Sequence, residues 1–161
     1  VSDTVITTVL NNLYDQIIAE AFIAAEITAE RLKTFDGSAI NDFSAPSMMT
    51  IGGLPITDDL AEISSEWDWA TLGVDGTNAQ VDDVWHIPCG IHTFLGEANL
   101  RTARTTALAL FTHAMSFIRG TTLGIPQVMW CMPQLATIRQ SQTADGAEVL
   151  IAFSAHVQTR I

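Results

Sequence analysis

Apolar residues recur at helical spacing near the start of the chain. Val5, Ile6, Val9, Leu10, Leu13, Ile17, Ala21, Phe22 and Ala25 form one stripe, with Asp15, Gln16 and Glu20 mostly off it. Ser2 or Asp3 can cap this helix, which is predicted to end between residues 26 and 32. "LKTFDG" (Leu32 to Gly37) then reads as a short strand closed by an Asp-Gly turn. "SMMTIGGLPITDD" (Ser47 to Asp59) holds a second short strand, ended by Gly52, Gly53 and Pro55. From Thr57 to Gln80 the pattern dissolves into acids, turn residues and the pair Trp67 and Trp69. This stretch is predicted to be a long loop excursion, of a length usually found in functional or disordered segments.

Periodicity returns at Val84. Trp85, Ile87, Cys89, Ile91 and Thr93 alternate with His86, Pro88, Gly90 and His92, the signature of a strand. A second amphipathic helix opens near Gly96 and Glu97, with Leu100, Ala103, Ala107, Leu110, Phe111, Ala114, Phe117 and Ile118 on its apolar face. Arg119 and Gly120 mark its end. Two strands follow, roughly Gln127 to Arg139 and Ala147 to Ile161, joined at "TADG" (Thr143 to Gly146) as an antiparallel hairpin. The predicted fold is α+β: a small, mainly antiparallel sheet, two amphipathic helices packed on one face, and a long acidic loop. The whole of residues 1–161 is expected to form one domain.

Composition sharpens this picture. Only 16% of residues are charged while 48% are hydrophobic, and an average soluble domain carries about 25% charged residues. No run approaches the ~18 apolar residues of a membrane span, and no signal peptide is expected. Interface centres are depleted in charge, so this composition favours a component of an assembly.

The net charge of −11 is concentrated. No Lys or Arg lies between Lys33 and Arg101, yet that interval holds eleven acids, Asp58, Asp59, Glu62, Glu66 and Asp68 among them. Such a surface repels a phosphate backbone, which is gripped by Lys and Arg. It suits a lumen wall, a basic partner, or simply a solvated loop. Cys89 and Cys131 sit among apolar neighbours and are expected to be buried and reduced.

"HIPCGIH" (His86 to His92) suggests half of a metal site. On a strand, though, His86 and His92 stand six positions apart, roughly 20 Å at ~3.3 Å per residue, and metal–nitrogen bonds are about 2 Å. Cys89 points to the other face. No metal, cofactor or catalytic residue is therefore expected. The Ser elbow, phosphate loop, dinucleotide and zinc-protease motifs are all absent from the sequence.

The second half of the chain resembles the tail terminator proteins of long, noncontractile-tailed bacteriophages. The resemblance rests on the order of segments. A strand bearing "IPC" (Ile87 to Cys89) leads to a helix with an early Arg, then a "TLG" turn (Thr122 to Gly124) and the closing strand "GAEVLIAFSAHVQTRI" (Gly146 to Ile161). The N-terminal helix and the "FDG" strand end (Phe35 to Gly37) fit as well. The resemblance implies a virion structural protein in the tail or neck, assembled in the host cytoplasm and not an enzyme. It would form a homo-oligomeric ring, typically of six subunits, capping the head-proximal end of the tail tube. Its partners would be the tail tube protein and the head-tail connector or stopper protein. DNA would pass through the lumen without specific binding, and no membrane is involved.

Within that reading, Asp58, Asp59, Glu62, Glu66 and Asp68 are candidates for a lumen-facing or partner-docking surface. Trp67 and Trp69 are candidates to anchor the segment on a neighbouring subunit or on its own core. Arg101 and Arg104, off the apolar stripe, are candidates to pair with the acidic segment of an adjacent subunit. The alternatives are another neck protein, such as a head-completion or stopper protein, and a small ligand-binding or enzymatic domain using the acidic segment as a lid.

Overall fold

The computed structural model describes residues 2–37, 45–54, 63–68 and 82–160. The N-terminal apolar stripe folds as two helices instead of one, α1 (Ser2–Ile18) and α2 (Ala21–Thr28). The break has a local cause. Glu20 adopts extended backbone angles, and its carboxylate accepts the Ile23 N–H at 2.9 Å, capping the second helix. A Glu that reads as an off-stripe helix position is thus a helix start.

The end of α2 is a Schellman closure made without glycine. Glu30 takes the left-handed conformation (φ 60°), its N–H reaches the Ile27 carbonyl, and Arg31 N–H reaches the Glu26 carbonyl. The Arg31 guanidinium also holds the Glu26 carboxylate through two 2.8 Å bonds. That hydrogen bond, and the positive charge behind it, lowers the Glu26 pKa.

The strands are β1 (Leu32–Asp36), β2 (Ser47–Ile51), β3 (Ser64–Asp68), β4 (Asp82–Leu95), β5 (Val128–Thr143) and β6 (Gly146–Arg160), with α3 (Leu100–Ile118) between β4 and β5. They make one six-stranded sheet in the order β1-β2-β4-β6-β5, and β3 pairs with the first part of β4. Among the described residues, only β1 and β2 pair in parallel. The fold class is α+β, as the sequence pattern predicts. Within the acidic stretch read as a loop, residues 64–68 are a strand; the five pairs from Ser64↔His86 to Asp68↔Asp82 supply the order that a periodicity search over so short a segment misses.

The helices cover one face of the sheet. Val9, Leu13 and Ile17 of α1, Ile23 of α2, and Ala103, Ala107, Leu110, Phe111, Ala114 and Ile118 of α3 bury against Ile87, Cys89 and Ile91 of β4 and the odd-numbered positions of β6. β6 alternates strictly, with every odd position from Ala147 to Thr159 buried and the even ones half-buried. That strictness fixes its register, because a one-residue slip would turn the entire core set outward. Asn99 caps α3 by accepting the Thr102 N–H at 3.1 Å, three residues later than the predicted opening at Gly96.

Candidate assembly surfaces

Cross-strand registry decides which polar residues meet on the face of the sheet opposite the core. β4 and β6 pair without interruption from Asp82↔Arg160 to Leu95↔Ala147. No bulge at Gly90 re-aims a side chain, so His86 and His92 stay six positions apart along the strand. His86 instead faces His156, its direct partner on β6, with Nδ1 3.0 Å from the His156 Nε2 and the rings edge to face. The Ser154 hydroxyl also lies 3.0 Å from that Nε2. His92 is buried, its Nε2 3.5 Å from a Glu148 carboxylate oxygen. Among the described residues, no three His, Cys, Asp or Glu side chains converge as a metal site.

The cysteines are packing residues. Cys89 and Cys131 are free and fully buried, and burial pushes both thiols up to about 12. A thiol held protonated is neither a nucleophile nor a metal ligand at neutral pH.

The sequence-predicted candidates divide into three groups. Asp58, Asp59, Glu62 and Trp69 lie outside the described residues. Glu66, Trp67 and Asp68 belong to β3, opposite Val84, Asp83 and Asp82 of β4. Four carboxylate-bearing positions, Glu66, Asp68, Asp82 and Asp83, are thereby brought together on these two strands. Arg101 and Arg104 are exposed on α3, as their position off the stripe predicts. Arg104 donates from Nε to the Gln140 side-chain oxygen on β5 at 3.0 Å, and Gln142 accepts the Leu100 N–H at 3.1 Å. The start of α3 is therefore tied to β5, and among the described residues Arg104 meets a neutral amide and no carboxylate.

Sequence reasoning missed the apolar residues of β5. Four large hydrophobic side chains are notably exposed among the described residues: Phe94, Met129, Met132 and Ile138, at 41–47%. Three of the four lie on β5, which among the described residues pairs only with β6. Their alternation resembles that of any half-buried strand. Only the strand order reveals that this one has no neighbour on its far side among the described residues.

No protein-family model matches the chain, and no curated protein sequence matches it. Among solved structures, a chain of a structure entitled "Virion of native gene transfer agent (GTA) particle" is similar, with a TM-score of 0.48 and 18% sequence identity over 91% of each chain. That likeness carries no functional argument, since one arrangement of helices and strands hosts many unrelated functions.

Proposed function

We propose that this chain is a virion structural protein, and specifically a tail terminator: a ring-forming subunit that caps the tail tube and joins it to the head connector. The observation that carries the reading is the order of the segments shared with that family. The "FDG" end of β1, the "IPC" of β4, the Arg-bearing α3, the "TLG" turn and the closing β6 follow in that order along the chain and belong to one helix-covered sheet. Low overall charge, exposed apolar residues on β5 and an acidic flank support an assembly component over an enzyme. The mechanism is association. Subunit flanks close the ring, one ring face stops on the last tube layer, and the other meets the connector.

The test is negative-stain imaging of particles made with this protein depleted. Overlong, variable tails lying apart from filled heads are expected. Tails of normal length beside leaking heads would move the protein to the head side of the neck, and intact particles would end the virion reading.

A further inference from the structure

We infer that the edge of β5 left unpaired among the described residues is a docking strand for a second copy of this chain, and that it takes the acidic β3 edge of that copy. The inference rests on the ring-forming reading above and names the surfaces that would meet. Three observations carry it.

The first is strand direction. β3 runs antiparallel to β4, β4 to β6, and β6 to β5. β3 and β5 therefore run in opposite senses at opposite sides of the sheet. A copy placed beside β5 in the same orientation presents its β3 antiparallel to it, and the ladder continues without a flip. Such a contact is heterologous: each copy gives one edge and receives the other.

The second is how β5 is guarded. Natural edge strands are blunted by proline, bulges and charge. Pro133 and the register shifts at Val128/Trp130 and Leu135/Thr137 blunt the first half of β5. From Thr137 to Thr143 there is no proline and no register shift, and Ile138 is 44% exposed. The unguarded half is the half that can accept a strand. Across the sheet, Ser65 stands level with Cys131 on the guarded half. The neighbour is therefore displaced along the strands to bring Ser64, level with His156, beside Ser141, level with Glu148, which sets Glu66 beside Arg139 on the same face; these eight positions span roughly 26 Å at ~3.3 Å per residue. That displacement carries β1 and β2, which flank β4 further along, past the end of β5.

The third is charge. β5 contains no acid and carries Arg139, with Arg104 bound to its Gln140. Arg139 makes no ion pair among the described residues. β3 carries Glu66 and Asp68, within a stretch that lacks any Lys or Arg from Asp36 to Leu100. Opposite signs on the two edges steer an edge-to-edge encounter and disfavour β5 meeting β5.

The test uses the full chain, because Cys89 and Cys131 are buried and unreactive. Two variants, Ser141→Cys on β5 and Ser64→Cys on β3, are mixed and treated with a short bis-maleimide, with exposed Thr112→Cys on α3 as the background control. Cross-links joining position 141 to position 64 are expected to dominate. Arg139→Glu in the β5 partner should reduce them about tenfold, and Glu66→Arg in the β3 partner should restore them, as for a close charge pair across an interface. Dominant 141-to-141 cross-links would overturn the assignment in favour of a two-fold contact, and yields no higher than the Thr112→Cys control would overturn it outright. The cross-links read the surface and particle imaging reads the role, so each can fail while the other stands.

Discussion

Glu30 and Leu123 share a left-handed backbone, with φ of 60° and 55°, but substitution should affect them in opposite ways. Glu30 is exposed, so its side chain offers little against the cost of that conformation. Glu30→Gly is expected to stabilise the fold by about 0.5–1 kcal/mol, read from a urea melt. Leu123 is 1% exposed, and its carbonyl accepts both the Asn12 and Gln16 side-chain amides, at 3.1 and 3.0 Å. Leu123→Ala should cost about 2–5 kcal/mol by emptying its site in the core. The cysteines give a pH dependence whose sign follows from their raised pKa. The unfolded thiols, with the ordinary pKa of 9.0, ionise first, while burial holds the folded ones protonated to about 12. Their stabilising contribution is complete below pH 9 and is lost as pH rises towards 12. A denaturation series across that range should show the decline, and replacing both with Ala should flatten it. Glu26 works the other way: its lowered pKa contributes stability above the ordinary carboxylate range that is lost as pH falls through it.

Among the elements, the β5–β6 hairpin is the most tightly specified. Its turn is Ala144–Asp145, and Gly146 opens β6 at φ 153°, where a Cβ would collide with the Leu95 carbonyl oxygen at the end of β4. The hairpin turn and the end of the neighbouring strand are thus fitted together by the absence of one methyl. Gly146→Ala should destabilise by about 1–3 kcal/mol, since overpacking forces the backbone apart. A melting curve indistinguishable from wild type would mean the strand ends separate freely. Helix α1 is fixed differently, by Asn12 and Gln16 on the turn after α3 and by the Tyr14 hydroxyl 3.1 Å from Thr34 on β1. Removing either amide with Ala should cost about 0.5–1.5 kcal/mol, the net worth of an ordinary hydrogen bond.

For the whole molecule, the distribution of charge decides what it can meet. With a net charge of −11, the isolated chain is expected to leave duplex DNA unshifted in a low-salt gel retardation assay, because phosphate contact requires clustered Lys and Arg. A salt-sensitive shift would remove the support that the acidic flank gives to the terminator reading. Arg104→Glu should weaken self-association measured by sedimentation. A single surface pair contributes about 0–1 kcal/mol, so the effect is graded and accumulates over every subunit boundary of a closed assembly. Unchanged association would exclude the Arg104 side of α3 from the subunit boundary.

Local pattern carried the sequence reading a long way. Alternation from Val84 to Phe94 and along β6 fixed which residues enter the core, and the spacing of α3 fixed its buried face, because periods of two and 3.6 residues leave no other arrangement that hides those side chains. The same alternation separated His86 from Cys89 and set aside the metal reading of "HIPCGIH". The tertiary structure decided what depends on distant partners. Glu20 became a cap because the chain turns there. Residues 64–68 became a strand because β4 offers them a ladder. His86 met His156 through a register running across seventy positions of sequence. β5 became an edge only through the order of strands, because whether a strand has a neighbour is a property of the assembled sheet and not of the strand's own residues.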